Sequence, residues 1–241
     1  MVKATSPAGS VVLLYHRLGS PLVRSRMRGQ YVLPAFFRWQ LRTLLRRGYR
    51  PAALADILAQ PGALGHFCVT FDDGYAPVGR LARPILAEMR IPAAVFVVAG
   101  AVGKTNFWDQ QRGDRAEKML SESELREMAS GGIEIGSHSM SHPRLTEVSD
   151  EVVREEVGGS KKALEDTLGQ PVAGFSYPYG AWDARVREAV IEAGYQYATA
   201  AALGALSSTV DRFSMPRINV RWNTVGWRLL GKIRKAYRVE E

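Results

Sequence analysis

A single-domain α/β fold of the (β/α) barrel type is what this sequence predicts, and three observations carry it. Short apolar runs alternate with amphipathic stretches along the whole chain, its length suits one sizeable core, and its chemistry-bearing residues fall just after the apolar runs. With 46% hydrophobic and 23% charged residues in 241, the chain has enough apolar surface to bury and no compositional bias toward disorder or repeats, so residues 1–241 are read as one domain.

The elements follow in order. Seven strands are expected at residues 10–15, 67–71, 93–98, 132–135, 173–177, 195–199 and 214–220, each a short run rich in branched and aromatic side chains. Between them 35–47, 78–89, 121–130, 150–168, 183–193 and 224–237 carry apolar residues at helical spacing. Ser121 followed by Glu124 reads as a capping box, and Asp183 stands where a helix N-cap belongs. Residues 103–118 are polar and without period, which predicts a long loop overhanging one end of the barrel. Lone Cys68 cannot form an internal disulfide and reads as a buried strand residue. Val11-Val12-Leu13-Leu14 is too short and too polar-ended for a signal peptide or a membrane span, and with Met1 ahead of it the expectation is a cytoplasmic protein, membrane-peripheral at most.

Functional residues of such a barrel gather where strands end. His16 follows the first strand, Asp72 and Asp73 the second, His138 and His142 the fourth, and Tyr177-Pro178-Tyr179-Gly180 the fifth. His66 precedes its strand and belongs at the opposite end. The pair His138 and His142 can place two imidazoles on one side of a helical turn, and with Asp73 as third ligand the set suits Zn²⁺ with a position open for water. Asp72 is then free to act as a base. Taken singly, each group has an ordinary alternative: solvated turn aspartates before Gly74, or a structural histidine. Ser139 is expected to orient an imidazole rather than to react.

The runs Thr70-Phe71-Asp72-Asp73-Gly74-Tyr75 and His138-Ser139-Met140-Ser141-His142 resemble the first two motifs of the polysaccharide deacetylases, the NodB-homology group or carbohydrate esterase family 4. The likeness extends from Leu14-Tyr15-His16 through Phe175-Ser176-Tyr177-Pro178-Tyr179-Gly180 to Met215-Pro216-Arg217. It implies a distorted NodB-like barrel and a divalent metal, Zn²⁺ by preference, held by Asp73, His138 and His142, with Asp72 as general base. The family's usual late Leu-x-His acid is absent, since no histidine follows His142. The early Leu14-Tyr15-His16 resembles the circularly permuted branch that includes poly-N-acetylglucosamine deacetylases, which makes His16 the expected general acid. Ser176 stands where the family often has an arginine that orients the base; Arg217 is the candidate to reach the same rim. Tyr179 would offer its backbone N–H to an oxyanion, in a turn that Pro178 and Gly180 suit.

The implied activity is removal of an N-acetyl or other small acyl group from an amino sugar or glycan. A metal-retaining barrel that only binds glycans, and a hydrolase of non-sugar amides, are the rival readings. Tyr75, Trp108, Tyr177 and Trp182 are the candidates to stack on sugar rings. The net charge of +8, from 32 basic and 24 acidic residues, is densest in 24–28 and 227–238. The latter is compatible with peripheral contact with a membrane surface or an anionic partner. No nucleic-acid module accompanies the charge, so nucleic acid is not an expected partner, and the oligomeric state is left open.

Overall fold

The computed structural model describes residues 9–60 and 63–238; the N-terminal residues on which the expectation about a leader partly rests lie outside that range. Its strands are β1 Val11–Tyr15, β2 Arg17–Leu18, β3 Tyr31–Val32, β4 Arg50–Pro51, β5 His66–Phe71, β6 Ala93–Val97, β7 Glu134–Ser137, β8 Gly174–Ser176, β9 Tyr197–Thr199 and β10 Ile218–Asn219. Its α-helices are α1 Pro34–Arg46, α2 Leu54–Ala59, α3 Arg83–Met89, α4 Phe107–Gln111, α5 Glu122–Ser130, α6 Asp150–Arg154, α7 Ser160–Leu168, α8 Ala184–Glu192 and α9 Trp227–Arg238.

The main sheet is parallel in the order β10-β1-β5-β6-β7-β8-β9, with β4 paired onto β5. Its seven-strand path matches the seven strands expected, and the first strand does sit beside the last. Curling is completed by a bridge from Thr199 to Met215, where the Met215 N–H donates to Ala198 O at 3.0 Å and the Ala200 N–H to Met215 O at 2.8 Å. Parallel strands covered on both faces must be apolar on both, which is why β1 reads Val-Val-Leu-Leu-Tyr with every residue buried.

Alternation of side chains divides the core. Val12, Cys68, Ala94, Phe96, Tyr197 and Met215 form one cluster inside the curl, while Val11, Leu13, Tyr15, Val69 and Phe71 pack outward against the helices. Cys68 is buried, and burial pushes its thiol up, as befits a structural residue. Inward positions along β5 and beyond read Cys68, Thr70, Asp72, so the interior changes from apolar to polar toward the rim. That gradient positions the site.

Local signals read from sequence recur as geometry. The Ser121 side chain accepts the Glu124 N–H at 3.3 Å while Glu124 Oε2 accepts the Ser121 N–H at 2.8 Å, and Asp183 Oδ1 accepts the Val186 N–H at 2.8 Å. Three expectations need correction. The stretches 78–89 and 150–168 are not continuous α-helices, because each contains a π-turn, at Val78–Ala82 and Glu155–Gly159. The expected loop 103–118 contains α4 and pairs back on itself and on the rim through Thr105–Lys118 and Tyr75–Met119 bridges.

Candidate active site

Four of the six non-glycine residues with left-handed backbone among those described lie at one end of the sheet: Asp73 at φ 72°, Ser139 at 66°, His142 at 64° and Tyr179 at 59°. Such conformations cost of order 1–3 kcal/mol each and persist only where surroundings enforce them. Here Asp73, His142 and Tyr179 line a cavity of about 210 Å³, together with His16, Asp72, Trp108 and His138 among others. Larger cavities lie elsewhere, but none of them gathers these titratable groups.

The run 138–142 is not a helical turn. It is a loop in which Ser139 Oγ accepts the His142 N–H at 3.0 Å, so Ser139 supports the motif as expected. Glu156, at the π-turn, accepts the backbone N–H groups of Met140 at 2.9 Å and Ser141 at 2.8 Å. Nothing in the sequence marked Glu156, one glutamate among several on a helix that meets the loop only in three dimensions.

Each imidazole is held by its Nδ1. His138 Nδ1–H donates to Ser176 O at 2.7 Å, and His142 Nδ1–H donates to the Tyr179 hydroxyl at 3.0 Å. Both Nε2 atoms therefore face Asp73 Oδ1, at 3.5 Å and 3.3 Å. One donor atom from each of Asp73, His138 and His142 lies within 4.8 Å of the others, all three buried. Two imidazoles with their far nitrogens tied, plus one carboxylate, fit a catalytic divalent metal. Burial pushes His138 down to about 4, against the pull of Asp72, so it is neutral at neutral pH as a ligand must be. For Asp73, burial would raise the carboxyl, but His142 and the neighbouring imidazoles hold it well below the usual range.

Asp72 is gripped by Arg217. Nη1 donates to Oδ1 at 2.8 Å and Nη2 to Oδ2 at 2.7 Å, a bidentate pair; the other donations of Arg217 go to Ala200 O, Thr70 Oγ1 and Ser176 Oγ. Ser176 Oγ–H in turn donates to Asp72 Oδ2 at 3.2 Å. Burial raises Asp72 and the Arg217 charge more than offsets it, leaving the carboxylate ionised. Serine at 176 thus leaves room for a guanidinium arriving from the last strand.

His16 is partly exposed, with its Nδ1 buried and without a hydrogen-bond partner among the described residues. Burial holds its imidazole below the ordinary range, and Asp73 and Asp72 offset this only in part. His66 opens β5 at the other end of the sheet, paired with Arg50, as expected. Tyr179 sits in the Pro178–Gly180 turn, where a Cβ on Gly180 would lie 2.6 Å from the Ala201 backbone nitrogen, so only glycine fits.

The aromatic candidates separate. Trp108 lines the cavity and stacks on His142, centroids 4.9 Å apart. Tyr75 and Tyr177 do not reach substrate space: both are fully buried, Tyr75 bonded to Arg17 and Asp109, Tyr177 donating to Phe213 O at 2.9 Å. Sequence proximity to the motifs suggested a rim position, but the backbone turn at Gly74 sends Tyr75 inward. Trp182 stacks on Tyr177 outside the cavity lining. Arg17, unmarked by any motif, is wholly buried behind the cavity and binds Asp109 Oδ2 at 2.5 Å, Glu117 at 3.2 Å and Gln30 at 3.1 Å. Asp109, Arg112, Gln30 and Arg221 also line the cavity and were not singled out as site residues by sequence.

Comparison with known proteins agrees with this geometry. The polysaccharide deacetylase family model matches residues 62–198. The Bacillus subtilis protein YxkH is 27% identical over 224 residues, 91% of this chain and 74% of that protein. A poly-beta-1,6-N-acetyl-D-glucosamine N-deacetylase of Staphylococcus aureus is 26% identical over 62% of this chain and 52% of its own length, so the match spans about half of that relative. Among solved structures, the Streptococcus pyogenes deacetylase PplD in complex with acetate superposes with TM-score 0.79 at 22% identity, covering 95% of this chain and 99% of that one. IcaB from Ammonifex degensii gives 0.78 at 24%, covering 95% and 98%. At these identities the two structures establish the fold.

Proposed function

The chain belongs to the polysaccharide deacetylase family, and from that premise we propose that it is a metal-dependent hydrolase removing the N-acetyl group from an amino sugar within an oligo- or polysaccharide. The N-acetylglucosamine polymer in the name of the S. aureus relative supplies the substrate class. One observation carries the reading: Asp73, His138 and His142 turn their donors to one point while Asp72, clamped by Arg217, and His16 line the same cavity.

A divalent cation held by these three residues, Zn²⁺ by its donor set, would polarise the acyl oxygen and lower the pKa of a water toward about 7. Asp72 accepts the proton of the attacking water, its two oxygens fixed by Arg217 so that the group needs no reorientation. On this reading the Tyr179 backbone N–H meets the negative charge developing on the acyl oxygen. His16 protonates the amine as the C–N bond breaks; burial holds its imidazole below the ordinary range, and the carboxylates of Asp73 and Asp72 offset that only in part. Trp108 forms a wall against His142 that helps exclude water. The Arg217 clamp also counts against a barrel that only binds glycans, because holding a base ionised serves no binding purpose.

Acetate release from N-acetylglucosamine oligomers, measured with added Zn²⁺ and again after chelation, tests the proposal. Release that is abolished by chelation and restored by metal is expected. Release undiminished by exhaustive chelation would contradict it, as would hydrolysis confined to non-sugar amides.

A further inference from the structure

Residues 9–55 and 212–238 contain no aspartate or glutamate, yet they hold 17 of the 32 arginines and lysines. The two segments pack on one another: Gln40 Nε2–H donates to Thr224 O at 2.6 Å, and the Trp222 N–H donates to Gly29 O at 3.2 Å. They form one face. Apart from the buried Arg17 and Arg217, only Arg38 among the described basic residues of these segments has a carboxylate in ion-pair reach, that of Glu88.

The same face carries apolar side chains that nothing covers. Trp222 is 60% exposed, Trp227 72% and Val23 78%. Phe36 and Trp222 line one cavity of about 560 Å³ together with Arg28, and Trp39, one turn along α1 from Phe36, lies against Gly226 beside Trp227. The patch is therefore continuous. It also adjoins the active site, whose lining includes Met27, Gln30 and Arg221, the chain neighbours of Arg28, Tyr31 and Trp222.

We infer that this basic, tryptophan-bearing face docks on an anionic phospholipid surface and sets the mouth of the active site beside it. Cationic density alone fits any polyanion, and sugar rings could stack on an exposed indole, but a hydrated polyanion gives little return for an exposed valine such as Val23. A bilayer interface rewards both, with basic groups attracted to anionic headgroups and indole rings seated at headgroup level. Among the described residues no helix is long and apolar enough to cross a membrane, so the contact is peripheral. This inference does not depend on the catalytic reading, since it makes no use of the metal or of turnover.

Co-sedimentation of the full chain with phosphatidylglycerol-containing vesicles, against pure phosphatidylcholine vesicles, tests it. Partition onto the anionic vesicles is expected, falling as salt rises. The double variant Trp222→Ser, Trp227→Ser should lower the partition coefficient about tenfold or more, and Arg24→Gln with Arg228→Gln should lower it comparably. Leu64→Ser, at an exposed position outside both acid-free segments, should leave it unchanged, and circular dichroism must show every variant folded. Absence of wild-type partition, equal binding to neutral vesicles, or binding that ignores the tryptophan variant while dextran sulfate binds equally well would overturn the inference, the last in favour of a soluble polyanion.

Discussion

Arg17 and Arg217 are both fully buried guanidiniums at the same end of the sheet, but they serve different parts of it. Arg217 gives two of its hydrogen bonds to one carboxylate, Asp72, on the floor of the cavity. Arg17 spreads its contacts over Asp109, Glu117 and Gln30 and lies 4.2 Å from the Tyr75 ring centroid, tying the 103–118 segment down as the cavity wall. One arginine sets the protonation and aim of a single carboxylate at the cavity; the other neutralises several acids so that a polar segment can be buried. Equal burial therefore predicts unequal consequences, for turnover in one case and for folding of the wall in the other.

The largest effect should come from the partner of the first arginine. Asp72→Asn is expected to lower turnover on the order of 10²–10⁴-fold with metal content unchanged, because the amide cannot take the water proton. Acetate-release kinetics beside elemental analysis check it, and near-native turnover at full metal occupancy would remove Asp72 from the mechanism.

Arg17→Met should leave Asp109 and Glu117 buried without their cation and destabilise the protein by about 3–5 kcal/mol. Limited proteolysis should then cut first within 103–118. Unchanged denaturant midpoints and an uncut segment would mean that Arg17 does not hold the wall.

Arg217→Met alone should also destabilise, but adding Asp72→Asn should restore much of the lost stability without restoring activity, since the uncompensated charge is gone. Strictly additive stability losses in this double-mutant cycle would deny the pair its exclusive coupling.

How much of this contrast could be read in advance depends on how far each interaction reaches along the chain. The strands, the two acidic and histidine motifs and even Arg217 were legible, because each sits in a short apolar run or beside a recurring motif. Arg17 was not, although it follows His16 directly, since its acidic partners Asp109 and Glu117 lie far along the chain, the first of them 92 residues on. For the same reason 107–111 read as loop: five helical residues carry too little period, and their stability comes from that distant cation. Two-residue strands β2, β3 and β4 are beneath any periodic signal. The spacing of His138 and His142 suggested two rings brought together, which the structure shows, but wrongly suggested a helix, because left-handed Ser139 and His142 bring the rings together another way.

A smaller effect should follow pH. Burial drops His138 from 6.5 to about 4 in the folded protein. The unfolded chain then binds a proton that the folded chain refuses, so stability is full above 6.5 and declines as pH falls toward 4. In chelated protein the urea midpoint at about pH 5 should lie below that at about pH 7.5, and His138→Gln should shrink the difference. Equal midpoints in the native sequence would contradict this.

His16 brings the first strand into a site otherwise built from later ones, and the proposed proton transfer to the leaving amine rests on it. The direct measurement is the ratio of amide to activated-ester hydrolysis in His16→Ala against the unaltered protein, at equal metal content. An amine leaving group needs a proton and an activated ester scarcely does, so the ratio should fall by about 10²-fold or more. A ratio unchanged by the substitution would show that His16 is not the acid.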